Sequence, residues 1–260
     1  MQSRDKAQGK LYIVGTGPGN TEMLTGQALA AISDAEYVIG NTFYLTLIEP
    51  YIQGKTVIPS PMGGEVDRAR RCIDLARDHR VAMVSGGDPG VYGMASIVLE
   101  VLDHAGWTVD VEVIPGVTAA TACAARLGSP LSGDYVTVSL SNLLTPLEII
   151  MKRLEGAFMM GVPVVVYNPK SKGRPDNLKM ALGVALRYRE PATPVGIIRN
   201  AYREGECIVY STIQGLIEDD ACVDMHTLVI IGGEESRFMR EGDHVRGIIT
   251  PRGYHRKYVY

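Results

Sequence analysis

The sequence is poor in aromatic side chains: its 260 residues include one Trp and three Phe. Its interior must therefore be packed mainly from Val, Ile, Leu, Ala and Met. Cysteine is scarce as well. Cys72, Cys123, Cys207 and Cys222 form no C-x-x-C pair and stand at no metal-ligand spacing from a histidine, so reduced, buried thiols are expected. No run approaches the ~20 apolar residues of a membrane span, and Met1 to Gln8 is polar where a leader would be apolar. Neither sign of charge dominates, the net charge being −3, and no general attraction to nucleic acid or to a membrane surface follows. His79, His104, His226, His244 and His255 show no pairing, and His79 and His104 are expected at helix C-termini, where positive charge is favourable. These residues assemble no catalytic triad, no Cys–His nucleophile and no metal site. A soluble, cytoplasmic protein without metal, nucleic-acid or membrane partner is the expectation.

Hydrophobic residues make up 46% and charged residues 21%, a globular balance that argues against disorder. The length suits two domains. In the first half, short aliphatic runs alternate with helical patterns. Leu11 to Val14, Tyr37 to Ile39, Thr56 to Ile58, Val81 to Val84 and Val109 to Ile114 read as strands. Helices are expected over Leu24 to Ala35, Glu65 to His79 and Met94 to His104. In the second of these, Val66, Ala69, Ile73 and Ala76 share a face, and Asp67–Arg71 and Arg70–Asp74 stand at i,i+4. Such alternation predicts a mostly parallel sheet covered on both faces.

After an alanine-rich helix from Thr118 to Leu127, Gly128-Ser129-Pro130 reads as a linker. Strands at Tyr135 to Leu140, Val162 to Tyr167, Pro194 to Ile198, Cys207 to Tyr210 and Leu228 to Ile231 follow, with helices only at Pro146 to Glu155 and Pro175 to Tyr188. With too few helices for pure βαβ units, a mixed sheet is expected here. The expected fold is thus α/β in two domains: residues 10–129 with a mostly parallel sheet and residues 134–240 with a mixed sheet, followed by a basic and aromatic extension over 241–260.

Three turns carry the chemistry. Gly15-Thr16-Gly17-Pro18-Gly19 leaves the first strand, with glycines that let a ligand approach the backbone and a helix ahead that offers free N–H groups. A dinucleotide fingerprint would need a third glycine where Asn20 stands and an acid where the second strand ends in Gly40-Asn41. No Gly-Lys-Ser/Thr phosphate loop is present. Taken alone, this turn is as well explained as a tight strand–helix connection. Ser85-Gly86-Gly87-Asp88-Pro89-Gly90 sets three glycines around one carboxylate, suited to cradling a ligand and facing Asp88 toward a cationic or amine group. Pro115-Gly116-Val117-Thr118-Ala119 is the third, with Thr118 a natural N-cap. All three lie at carboxyl ends of strands, the edge where open α/β sheets bind ligands. In the second half, Tyr167 to Arg174 gathers Lys170, Lys172 and Arg174, and Arg199 to Arg203 adds two more cations. Solvated loops are the plain meaning of such clusters, though two at strand ends also suit a polycarboxylate substrate.

Together these motifs resemble the tetrapyrrole (corrin) methyltransferase family. The marks are Gly15 to Gly19 with Leu24-Thr25, Gly86-Gly87-Asp88-Pro89, Pro115 to Ala119, Thr193-Pro194-Val195 leading to Asn200-Ala201, and Thr227-Leu228 before Ile231-Gly232. The resemblance implies S-adenosylmethionine bound between two α/β domains, in a homodimer acting on a tetrapyrrole. It implies cofactor contacts at Pro18, Gly86, Asp88, Val91, Tyr92, Thr118, Ala119, Asn168, Ala201 and Leu228. Gly15, Gly17, Ser139, Lys170, Lys172, Arg174, Arg199 and Arg203 are the candidates for substrate. Ser139 to Pro146, Tyr167-Asn168-Pro169 with Ser171 and Arg174, and Thr250 to Tyr254 with Lys257-Tyr258 resemble the branch that methylates C17 of precorrin-3B or cobalt-factor III with ring contraction. Asn142 stands where that branch leads one to expect Asp. The alternatives are methylation of another ring carbon, protein modification of the diphthine-synthase kind, and a nucleotide-binding dehydrogenase-type module, which the missing glycine and acid disfavour.

Overall fold

The computed structural model describes residues 9–259, without the side chain of His255; the polar Met1 to Gln8 segment lies outside the described residues. The chain divides between Ala119 and Ala120 into two compact units.

In the first unit, β1 (Lys10–Gly15), α1 (Gly26–Asp34), β2 (Tyr37–Asn41), α2 (Thr42–Leu47), α3 (Glu49–Ile52), β3 (Thr56–Ser60), α4 (Glu65–Leu75), β4 (Arg80–Ser85), α5 (Ala95–Ala105) and β5 (Asp110–Ile114) follow one another. The five strands form one sheet in the order β3-β2-β4-β1-β5, and every pairing is parallel. Burial on both sheet faces explains the continuous Val/Ile/Leu runs. One face packs Leu11, Ile13 and Met83 against Ala69, Ile73, Val98 and Leu102 of α4 and α5. The other packs Val14, Val38 and Val84 against Ala28, Ala31 and Ile32 of α1. Thr25 starts α1 by accepting the Ala28 amide at 3.0 Å, and left-handed Gly106 ends α5.

From β1 the chain crosses toward β2, and from β4 it crosses the opposite way to β5. The neighbours β1 and β4 thus flank the topological switch point, where a crevice opens at the strands' carboxyl ends. The first two glycine turns leave from these two strands.

The α6 helix (Ala119–Leu127) leads into the second unit: β6 (Gly128–Ser129), β7 (Val136–Ser139), α7 (Leu147–Met159), β8 (Val164–Tyr167), α8 (Asn177–Ala185), β9 (Pro194–Arg199), β10 (Cys207–Thr212), α9 (Ile213–Glu218), β11 (Thr227–Ile231), β12 (Arg237–Glu241) and β13 (His244–Ile249). Its main sheet, in the order β10-β9-β11-β8-β7, is mixed: β7 and β8 run parallel, and β11 runs antiparallel to both its neighbours. Phe158, Leu154, Leu178, Leu182 and Leu216 from the helices cover one face of it.

Several local expectations change. Gly128 and Ser129 are not a linker: as β6 they pair with Ile248 and Ile249 of β13, which itself forms a hairpin with β12. A strand of two residues leaves no periodicity to read, and its partner lies far along the chain. The helix expected to reach His79 ends at Leu75, and His79 instead sets Nδ1 3.1 Å from Glu36 Oε2. On α4, Val66 is 42% exposed while Arg68 is buried. The recorded ion pairs of α4 are Glu65–Arg68 and Asp74–Arg77 at i,i+3, in place of the two expected at i,i+4.

Candidate active site

The three turns of the first unit are tied together through their backbones. Gly17 N–H donates to the Gly87 carbonyl at 3.1 Å, and Gly87 N–H donates back to Gly17 at 2.7 Å. Thr16, buried, donates its amide at 2.9 Å and its hydroxyl at 3.1 Å to the Ser85 carbonyl. The glycines are required by this approach: a Cβ at Gly15 would lie 2.6 Å from Gly116 N, and one at Gly116 would lie 2.2 Å from the Gly87 carbonyl oxygen. Gly17 and Gly87 also take φ of 72° and 68°, the left-handed region that favours glycine. Tyr44, unmarked in the sequence, packs its ring where a Gly86 side chain would stand.

Asp88 completes the tie. Its Oδ1 accepts from Gly90 N–H at 2.8 Å and its Oδ2 from Gly116 N–H at 3.0 Å, so one carboxylate joins the second turn to the third. The carboxylate expected to face a cationic group thus spends one acceptor site on each oxygen to hold backbone. Beside it, a side chain at Gly87 would point toward the third turn, with its Cβ 3.8 Å from Thr118 Cα and from Ala119 N. Tyr92, at φ 52°, is 54% exposed on the same stretch, while Pro18 is buried and Val91, Thr118 and Ala119 are half-buried. Small residues and open backbone fit a compact polar cofactor such as S-adenosylmethionine.

In the second unit, the strand register brings Ser139, Tyr167, Arg199 and Thr227 to one edge of the sheet. Asn168, at φ 51°, donates from Nδ2 to Ser139 Oγ at 2.9 Å, and Ser141 N–H donates to the same oxygen at 3.2 Å. Asn200 and Tyr202 also hold positive φ, at 51° and 59°. Four non-glycine residues in this conformation on site-edge loops are strain of the kind that functional sites retain. The two asparagines tolerate the left-handed region more readily than the two tyrosines do. Ala201 and Leu228 are buried at the same edge.

The cations divide. Lys170 is paired with Asp220 at 2.7 Å and Arg199 with Asp224 at 3.8 Å. Arg174 is buried and donates to Ser141 Oγ, to Ser171 Oγ at 3.2 Å and to Met225 Sδ at 3.6 Å. Lys172 is exposed and Arg203 half-buried. The basic loops are therefore largely cross-braces. Glu206 accepts from Arg126 at 2.5 Å and from the Tyr202 amide at 2.7 Å. Burial pushes its carboxyl up, but these bonds and the Arg126 charge outweigh it and hold the group below its ordinary range. Burial pushes the Cys72 and Cys123 thiols up to about 12.

A groove of about 500 Å³ between α4 and α5 is lined by Arg70, Ile73, Arg77, Val101 and His104 and lies toward the amino ends of the strands, away from the turns. Among the described residues no cluster of His, Cys, Asp or Glu could hold a metal ion, and no helix is long and apolar enough to cross a membrane.

Turns bound to one another at a parallel sheet's switch point place this chain among the α/β proteins with a backbone-lined crevice at that edge. The model of the tetrapyrrole (corrin/porphyrin) methylases matches residues 10–217, and the chain belongs to that family. The cobalamin biosynthesis protein CbiHC of Archaeoglobus fulgidus is 41% identical over 97% of this chain, which spans 54% of that protein. A Salmonella typhimurium protein named probable cobalt-factor III C(17)-methyltransferase is 38% identical over 94% of this chain and 99% of its own length. The crystal structure of the methyltransferase CobJ superposes with a TM-score of 0.87 at 31% identity, covering 94% of this chain and 100% of that one.

Proposed function

We propose that the protein is an S-adenosylmethionine-dependent methyltransferase of cobalamin biosynthesis that methylates C17 of cobalt-factor III or precorrin-3B with ring contraction. The observation that carries this is the match to the Salmonella relative along nearly the whole of both chains. The cofactor supplies a methyl group already activated on a sulfonium, so no nucleophilic side chain is needed. That accords with a site built of turns rather than a triad.

The first unit holds the cofactor at Pro18, Gly86, Asp88, Val91, Tyr92, Thr118 and Ala119, and we extend the contacts to Asn168, Ala201 and Leu228. Asp88 keeps the second and third turns in register, and the positive-φ residues present backbone groups in a fixed direction. The chain's contribution is alignment, bringing a ring carbon to about 3–3.5 Å from the methyl while excluding water. We assign Gly15, Gly17, Ser139, Lys172 and Arg203 to the substrate side, with Lys170, Arg174 and Arg199 bracing the loops that present it. We further propose a cytoplasmic homodimer. Mass spectrometry of products from cobalt-factor III and from precorrin-3B, each with cofactor, tests the proposal. One added methyl on either supports it, and none on both overturns it.

A further inference from the structure

Between β7 and α7 the chain forms a short loop with the tip Leu143-Leu144, and these leucines are 83% and 98% exposed. Single exposed apolar residues need no explanation, but two adjacent ones at near-complete exposure, on a loop with a braced base, do. The loop is pinned on both sides. Leu140 and Ile150 are buried in the core, and Leu140 N–H donates to the Tyr167 carbonyl at 2.9 Å. Asn177 Nδ2 donates to the Leu140 carbonyl at 2.8 Å. Ser139 Oγ receives Ser141 N–H and Asn168 Nδ2, and Ser141 Oγ receives the Arg174 guanidinium. The tip is therefore held out in solvent on a braced base.

Its neighbour is the loop after β8, reached through the same bonds. That loop carries the exposed Lys172, and on the far side of Arg174 lies Met225, 43% exposed. An apolar tip beside a cationic loop, both leaving one sheet edge, complements a ligand with a broad apolar face and a rim of carboxylates.

We propose that Leu143 and Leu144 form an apolar platform for the face of the macrocyclic substrate and set its affinity, with Lys172 facing a rim carboxylate. This inference rests on the proposed C17-methyltransferase function. The alternative occupant, a second copy of the chain, is separated by the test.

The test compares the wild type with the double variants L143S/L144S and L143M/L144M. Initial rates against the tetrapyrrole, calorimetry with S-adenosylhomocysteine, thermal melting and light scattering are measured on each. Because both side chains are already exposed, the serine variant should melt with the wild type. Its KM for the tetrapyrrole should rise about tenfold or more, the factor expected from losing leucine-sized apolar contacts. Its cofactor affinity and molecular mass should be unchanged, and the methionine variant should keep a KM near that of the wild type. An unaltered KM in the serine variant, or a fall in molecular mass accompanying its loss of affinity, overturns the platform. A wild type inactive on both tetrapyrroles overturns the proposed function and this inference with it, whereas an active wild type with an indifferent tip overturns the inference alone.

Discussion

Asp88 shows how much can depend on one side chain. Its two oxygens hold two amides that are 26 residues apart in sequence, Gly90 and Gly116. In Asp88→Asn one of those oxygens becomes an NH₂ facing an N–H donor, so a hydrogen bond is replaced by a repulsion. Cofactor affinity is expected to fall about tenfold, or ~1.4 kcal/mol, the scale of one buried hydrogen bond, as read by calorimetry with S-adenosylhomocysteine. Equal affinity in variant and wild type would refute the tie's importance. The sequence marked Asp88 as functional, but its partners were not legible, since they are backbone groups brought together by β1, β4 and β5. Cysteine reactivity follows the same residue-level logic. Cys207 is exposed, whereas burial raises the Cys72 and Cys123 thiols to about 12. A thiol reagent at neutral pH should label Cys207 in the native protein and reach Cys72 and Cys123 only after denaturation.

At the level of elements, most strands and helices of the first unit were legible because a doubly covered parallel sheet produces long aliphatic runs. What escaped was structure held by distant partners. Thr250 is an example, marked in the sequence only by its motif. Its hydroxyl donates to the Pro130 carbonyl at 2.6 Å and meets Ser236 Oγ at 2.6 Å, its amide donates to Ser129 at 3.0 Å, and its carbonyl accepts from Ser132. Thr250→Val keeps the volume and removes the hydroxyl bonds, leaving the Pro130 carbonyl and Ser236 without that partner. Urea unfolding should show a loss of about 1–3 kcal/mol, and an unchanged midpoint would count against this knot. Similarly, Arg68 went unnoticed on α4 because a guanidinium is expected in solvent. Here it is buried and donates to Ser60 Oγ at 3.0 Å and to Met94 Sδ at 3.4 Å.

For the whole molecule, two linkages are measurable. Glu206 is held below its ordinary range, so its pairing with Arg126 contributes stability above the unfolded glutamate pKa of about 4.3. That contribution is lost as pH falls through the lowered folded value. Glu206→Gln should therefore melt below the wild type at neutral pH and converge with it in acid; a constant difference would contradict the linkage. S-adenosylhomocysteine at a hundred times its Kd should stabilise the protein by about 2.7 kcal/mol, visible as a raised melting temperature. At this scale the two α/β units, parallel and then mixed, were readable from the spacing of strands against helices. The partners of β6 were not, because two residues carry no period.

The pairing of β6 with β13 also bears on the order of events during synthesis. Gly128 and Ser129 emerge from the ribosome early and must wait for Ile248 and Ile249, about 120 residues later, before their ladder closes. Closing so long a loop costs only slightly more entropy than closing a short one, but its ends cannot meet until Ile249 has been made. The five-stranded sheet of the second unit, whose strands end at Ile231, can assemble first. The three-stranded clasp can close only after β13 has been made, so Ser129 to Ser132 are expected to stay open to proteases until then.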